Sequence, residues 1–468
     1  MVFSSLFFMY LFLPLNLLLY FVIKNNTYRN WVLIVFSLIF YAWGEPIWVI
    51  LLIFSAAVDY VHGLIIESKR GTVYAKLALI SSLIINLGLL CTFKYTGFII
   101  ENLNFLLGIS LPPPVFSLPI GISFYTFQTI SYTIDVYRGN VTAQRSFPKF
   151  LMYVAMYPQL VAGPIVRYST VAAEIENRVI TPEGMSSGFN LFCIGLAKKV
   201  LLANTAGKLA SIYLEGNLTS LAVTEAWFGI IMFSLQLYYD FSGYSDMAIG
   251  LARMFGFHYD PNFNYPYISG SITDFWRRWH ISLSSFFKDY VYIPLGGNRK
   301  HQFFNILVVW CLTGLWHGAS WNFVLWGLYY AVLLIIEKLF LLKLLNRFRI
   351  PAQIYRMFFV TLGWAIFYFV DIHRLSDFLK ALFGIGNHAL HNMELNILLV
   401  NNIFWIIAAL LFCMPIAVKV GNYLKTIEES RFTITINCIR IVVNLGLIVL
   451  CTAALVGQSY NPFLYFRF

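Results

Sequence analysis

Two histidine-centred segments hold the residue types that could do chemistry. His317 stands in Trp316-His317-Gly318-Ala319-Ser320, directly after the apolar stretch Phe303–Leu315. His280 stands in Arg277-Arg278-Trp279-His280, followed by Lys288 and flanked by many aromatics. An imidazole titrates near pH 6.5, so at neutral pH it can accept a proton from an attacking hydroxyl, a contribution of about 10²–10⁴-fold. A lone buried histidine is more often a satisfied core residue, so position must decide. Phe303–Leu315 is thirteen residues and rises roughly 20 Å, short of a full span of about 30 Å. Another apolar stretch, Ala319–Leu341, then runs back. The hairpin lifts His317 to an intermediate depth, where a polar group is costly and suggests function by default. Gly318 and Ala319 beside it leave room for a ligand. Asp240 and Asp246 are further ionisable groups inside an apolar stretch. Six positions apart, they do not share a helix face, and a role in tying helices together suits them better than catalysis.

The elements that must position these groups are membrane helices. Of 468 residues, 59% are apolar and 11% charged, and the mean hydropathy is +0.73. Soluble domains carry about 25% charged residues, so this chain lacks the means to cover a water-facing surface. Its apolar runs are continuous over helical lengths, without the alternation of a β-barrel, so the fold class is an all-α polytopic membrane protein. The expected helices are Leu6–Ile23, Trp31–Trp43, Ile47–Ile66, Leu77–Phe93, Val115–Asp135, Phe150–Val166, Gly188–Ala206, Ala226–Leu251, Phe303–Leu315, Ala319–Leu341, Met357–Val370, Ile403–Val420 and Ile436–Val456. The N-terminal stretch has neither a basic leader nor a cleavage pattern and reads as a retained helix. No internal repeat is visible, which weakens a repeat-built transporter.

The net charge of +11 comes from Lys and Arg in short loops, which is the pattern of membrane orientation and anionic-lipid contact and not of nucleic-acid binding. Four basic loops are expected, with Lys69, Arg70 and Lys76, with Arg138, Arg145 and Lys149, with Lys343, Arg347, Arg349 and Arg356, and with Lys419, Lys425, Arg431 and Arg440; placing them in the cytoplasm leaves the tail 458–468 outside. The segment 253–301 reads as a cytoplasmic amphipathic or re-entrant segment, its plainest form a helix on the leaflet, with Phe275, Trp279, Leu283, Phe286 and Phe287 on its apolar face and Ser271, Thr273 and Asp274 able to cap it. The six cysteines are scattered and mostly apolar in context, with no metal spacing and no disulfide framework.

Eight blocks in order carry a resemblance over nearly the whole chain: MVFSSLFFMYLFLPL, FYAWGEP, LPIGISFYTFQTISYTIDVYRG, YPQLVAGPIVRY, QLYYDFSGYSDMAIGLARMFGF, FWRRWHISLSSFFKDYVYIPLGGNRK, LTGLWHGASWNFVLWGLYY and NPFLYFRF. They resemble the membrane-bound O-acyltransferase superfamily, in its bacterial branch of alginate and peptidoglycan O-acetyltransferase membrane subunits. The resemblance implies one membrane domain over 1–468: a ring of about 11–13 transmembrane and re-entrant helices around a thinned centre with a cytoplasmic funnel. The hairpin 303–341 would carry the catalytic histidine.

The resemblance also implies transfer of an acyl group, expected to be acetyl, from a cytoplasmic thioester to a hydroxyl outside. The donor is expected to be acetyl-coenzyme A, with no permanently bound cofactor and no metal. His317 maps to the family's catalytic histidine and His280 to its second position, as a positioning or polarising group on the donor side. Arg277, Arg278 and Lys288 suit the phosphates of coenzyme A, with Trp279 and Trp316 beside them, and their charge would keep the His280 imidazole neutral. Tyr465, in the closing block, is expected to accept the acetyl group from the donor and relay it. A separate extracytoplasmic, serine esterase-like O-acetyltransferase would collect it, since no glycan-binding domain is fused here. The expected setting is the bacterial cytoplasmic membrane, with the C-terminus outside. The acceptor is expected to be a cell-surface polysaccharide, peptidoglycan slightly ahead of alginate. A multi-helix transporter or channel, or a scaffold recruiting an outside transferase, are the rival readings.

Overall fold

The computed structural model describes residues 1–160, 163–426 and 430–457, and every regular element among them is helical. Physics leaves little choice, because inside a bilayer each backbone N–H and C=O must find its partner within its own helix. Six helices are long and apolar enough to cross a membrane: Val49–Ser68, Val73–Leu107, Pro182–Leu214, Arg349–Tyr368, Met393–Phe412 and Thr435–Gly457. Phe8–Val22 and Gln302–His317 are apolar but shorter. The protein is an all-helical, polytopic membrane protein.

Two compact units interleave along the chain: Met1–Phe192 with Tyr244–Pro261, and Cys193–Gly243 with Asn262–Phe468. In the first, the helices Val49–Ser68, Val73–Leu90 and Ile122–Arg138 pack around a buried polar network. Asp59 accepts from the Ser82 hydroxyl at 2.6 Å and from Asn86 Nδ2 at 2.8 Å, and the Ser55 hydroxyl donates to Asn86 Oδ1 at 2.9 Å. Two expected helices are interrupted here, one at a glycine and one at a proline. Val115–Asp135 becomes helical only from Ile122, after Gly121 at φ +80°. Phe150–Val166 breaks at Met156, just before Tyr157-Pro158, because proline cannot donate to the preceding turn.

The second unit is built on a helical hairpin, Gln302–His317 and Trp321–Ile336, joined by Gly318–Ser320. The two helices close on paired glycines: a Cβ on Gly314 would overlap the Phe323 carbonyl, and one on Gly327 would overlap the Trp310 carbonyl. Small residues permit such backbone contact, and dispersion then holds the pair. Trp310, Trp326, Tyr330 and Trp364 form an aromatic cluster around it, each of them edge-to-face with Trp276. Pro415 divides the expected Ile403–Val420 into Met393–Phe412 and Ile416–Thr426.

The amphipathic helix expected within 253–301 is not found. The segment contains a seven-residue helix, Ile272–Arg278, and a second helix, Ile281–Phe287, continued by a π-helical turn to Tyr292, with the break at Trp279-His280. Its apolar face is turned into the protein and not onto a leaflet: Phe275, Trp279, Leu283, Phe286 and Phe287 are all at most 5% exposed. Periodicity shows that a face is apolar but cannot say whether lipid or protein covers it.

Candidate active site

The helix Ile272–Arg278 is held at its start. The Ser271 hydroxyl accepts the Asp274 N–H at 3.0 Å. The fully buried Glu337 accepts the Ile272 N–H at 2.6 Å, the Thr273 N–H at 2.8 Å and the Thr273 hydroxyl at 2.6 Å. A carboxylate there meets the unpaired N–H groups and the positive end of the helix. Glu337 continues the return helix of the hairpin, so one side chain locks the arginine-bearing segment to the element that carries His317.

The helix ends at Arg278, Trp279 is extended, and His280 sits in the left-handed region at φ +45°. That conformation costs a non-glycine residue about 1–2 kcal/mol. Bonds to the stretch Asn262–Asn264 offset it: the Ile281 N–H donates to the Asn262 carbonyl and the Asn264 N–H to the Arg278 carbonyl, both at 2.9 Å. The Asn262 side chain goes further. Its Oδ1 accepts the Ser282 N–H at 3.2 Å and the Ser282 hydroxyl at 2.9 Å, so it is the acceptor toward His280 Nδ1 at 3.2 Å as well. This network assigns the proton to Nδ1 and the lone pair to Nε2.

The His280 ring is 1% exposed and meets Phe241 edge-on, with centroids 4.6 Å apart. Burial pushes its pKa well below 6.5, and the charge of His317 adds to the effect. The imidazole is thus kept neutral, as the sequence suggests, but mainly by desolvation and not by the neighbouring arginines. His317 ends its helix inside an aromatic cage, with ring centroids 5.0 Å from Trp316, 5.0 Å from Trp326 and 5.2 Å from Phe367.

Both imidazoles line one cavity of about 250 Å³. Trp276, Trp279 and Trp310 form much of its wall, and Thr313 and Ser284 add hydroxyls. The exposed cations Arg277, Lys288 and Lys338 also line it, so the charges lie at its open side and the buried imidazoles on its inner wall. Such a cavity can admit a small activated group, exclude bulk water and offer a base.

The structure therefore brings His280, His317, Arg277, Trp279 and Lys288 together. Trp316 stands behind the wall, its ring 5.8 Å from His280. Arg278 is not on the wall; it pairs with Asp274 at 3.0 Å. Asp240 forms a buried ion pair with Lys199 at 2.6 Å, and Asp246 is half-buried on the same helix. Tyr465 lies outside the described residues. The space beside Gly318 is not left for a ligand: the Phe323 ring fills it, so closely that a Cβ on Gly318 would overlap that ring. Among the described residues no group of three His, Cys, Asp or Glu is placed to hold a metal ion. Asn262, Glu337 and Lys338 escaped the sequence reading. Glu337 left a signal, as the single carboxylate in the apolar run 319–341.

Comparison with known proteins bears on this arrangement. The profile of the membrane-bound O-acyltransferase family matches residues 141–370, which include both histidines. Over its full length the chain is 37% identical to the probable alginate O-acetylase AlgI of Pseudomonas putida and covers 100% of it. The chain belongs to the membrane-bound O-acyltransferase family. As a member it is an enzyme of acyl transfer, and the transporter and scaffold readings give way. It is also 33% identical to the peptidoglycan O-acetyltransferase of Helicobacter pylori, over 84% of this chain and 82% of that one. The likeness to the teichoic acid D-alanyltransferase of Bacillus subtilis is 29% over 47% of this chain and 59% of that one. Two of these three names describe O-acetylation, of alginate and of peptidoglycan, and the third describes D-alanyl transfer to teichoic acid.

Proposed function

We propose that this O-acyltransferase takes an acetyl group from cytoplasmic acetyl-coenzyme A and delivers it outward for O-acetylation of a cell-surface polysaccharide. The observation that carries the proposal is the single cavity shared by His280 and His317, with Arg277, Lys288 and Lys338 at its open side. The cations suit the phosphates of the donor, and the narrow aromatic interior suits a two-carbon acyl group. A thioester is already activated, so the protein's tasks are to deprotonate the acceptor, align it and exclude water. His317 is the general base. The lone pair on His280 Nε2 makes that residue an acceptor, which favours positioning the incoming hydroxyl over polarising the thioester carbonyl.

In this scheme the acceptor at the cavity is the Tyr465 phenol. His317 removes its proton, the phenoxide attacks the acetyl carbonyl, and the coenzyme A thiolate leaves and is protonated. The resulting aryl ester stays reactive because phenoxide, with a pKa of about 10, leaves more readily than an alkoxide. A separate extracytoplasmic transferase of the serine esterase kind then takes the acetyl group and passes it to the polymer. The orientation is that of the bacterial cytoplasmic membrane with the C-terminus outside. Of the two polymers, the full-length likeness to an alginate O-acetylase moves the expectation from peptidoglycan toward alginate-type polysaccharide.

The test is a proteoliposome assay with acetyl-labelled coenzyme A on the cation-bearing side. The wild type should carry label on a C-terminal peptide, His317→Ala should carry none, and Tyr465→Phe should insert normally yet export no acetyl. Undiminished export by Tyr465→Phe removes the relay; undiminished transfer by His317→Ala removes the base.

A further inference from the structure

A second cavity in the same unit, about 230 Å³, has no part in this chemistry. It runs between the helices Val223–Met254 and Arg349–Tyr368, the turn Pro266–Ile268 and the end of Met393–Phe412. Its inner wall is apolar and buried at Leu235, Val360 and Cys413, whereas its rim residues Ile231, Met357 and Leu410 are between 37% and 55% exposed. In a membrane protein, an apolar rim of this kind faces acyl chains and not water.

Arg356, expected in a basic loop, instead lies within the helix Arg349–Tyr368, and it lines the same crevice although it is only 3% exposed. Its guanidinium donates to the carbonyls of Tyr267 and Ser269, which fixes its place but does not balance its charge. Among the described residues it forms no ion pair, and Asp274, whose charge it senses, is already held by Arg278. A buried cation without a counter-charge is costly, and an anionic ligand relieves that cost. Arg356 is seven residues into its helix, about 10 Å from an end marked by Arg347 and Arg349, a depth that a lipid phosphate can reach from the interface.

We propose that this crevice binds an anionic phospholipid, its phosphate against Arg356 and one acyl chain along Leu235, Val360 and Leu410. The site recognises head and tail together: the guanidinium selects charge, and the apolar wall selects a lipid over a soluble anion.

Native mass spectrometry of the purified full-length protein, delipidated and titrated with phosphatidylglycerol or chain-matched phosphatidylcholine, tests this. The wild type should retain phosphatidylglycerol about fivefold better, the selectivity expected from one arginine near an anionic headgroup. Arg356→Gln should lose that preference. Leu410→Trp fills the tail groove from its exposed rim and leaves the arginine contacts intact, so it should weaken retention of both lipids in a folded protein even if Arg356→Gln fails to fold. Equal retention of the two lipids by the wild type overturns the proposal, as does wild-type retention by Leu410→Trp. Displacement of phosphatidylglycerol by inorganic phosphate alone would also overturn it, since the occupant would then be a free anion.

Discussion

Each unit buries ionisable groups, and Asp59 in the first is placed differently from the histidine pair in the second. In the first, Asp59 is fully buried and enclosed by donors from Ser82 and Asn86, and Asn86 is itself held by Ser55. Every bond closes within three neighbouring helices. In the second unit, His280 and His317 are almost as deeply buried, yet both form part of a cavity wall. Intramembrane burial raises the cost of a polar group in both places. What separates the two places is whether a buried group, beyond the partners that hold it, also borders a space that a substrate could enter.

The sharpest way to break this contrast is to delete one group from each side. His317→Ala should lower acetyl transfer by about 10²–10⁴-fold with thermal stability unchanged. Asp59→Ala leaves buried donors on Ser82 and Asn86 without their acceptor, at a cost of about 1–3 kcal/mol. It should lower the thermal midpoint while turnover per folded molecule stays near wild type. Paired melting and activity measurements decide the matter, and a folded Asp59→Ala protein with no turnover would erase the distinction.

A smaller effect probes the His280 wall. In Asn262→Asp the acceptor toward Ser282 is kept, but a carboxylate now faces the Nδ1–H and favours the imidazolium. The pKa of His280, low in the wild type because of burial, should rise, and the acid limb of kcat/KM should move to higher pH by about one unit or more. The sign for stability follows from the wild-type direction. Since the folded pKa lies below the unfolded 6.5, the contribution of neutral His280 is complete above about pH 6.5 and is lost as pH falls toward the folded value. A profile that does not move in Asn262→Asp would mean that Asn262 has no influence on the protonation of His280.

The contrast between the units also marks what the sequence could reveal. Membrane class and helical fold were legible because apolar runs of spanning length have few solutions. The place of His317, at the end of an apolar helix shorter than a full span, was legible from the length of the run before it. The break at His280 was not, since it depends on backbone pairing with Asn262–Asn264, and no local signal in His258–Asn262 announces that partner. The covered face of Phe275, Leu283 and Phe287 was misread for a related reason: amphipathic spacing is the same whether the apolar side meets lipid or protein. Ion pairs such as Lys199–Asp240 join residues far apart in sequence and leave no spacing to read.

The finest comparison lies between two adjacent arginines. Arg277 is exposed and lines the cavity, whereas Arg278 is committed to Asp274 four residues earlier. Sequence alone makes them interchangeable; geometry does not. Arg277→Ala should raise the KM for the proposed donor, acetyl-coenzyme A, about three- to tenfold, the range expected on losing a charge-assisted contact to phosphate, with kcat little changed. Arg278→Ala should stay within about twofold, because Arg278 is committed to a half-exposed i,i+4 pair, which contributes little, and is not on the cavity wall. Ionic strength supplies an independent check, since exposed charges are screened over about 8–10 Å at physiological salt. The wild-type KM should therefore rise with salt, and that dependence should flatten in Arg277→Ala but persist in Arg278→Ala. Equal responses of the two variants would mean that the donor's phosphates meet the segment as a diffuse basic patch and not through the side chain that the cavity wall presents.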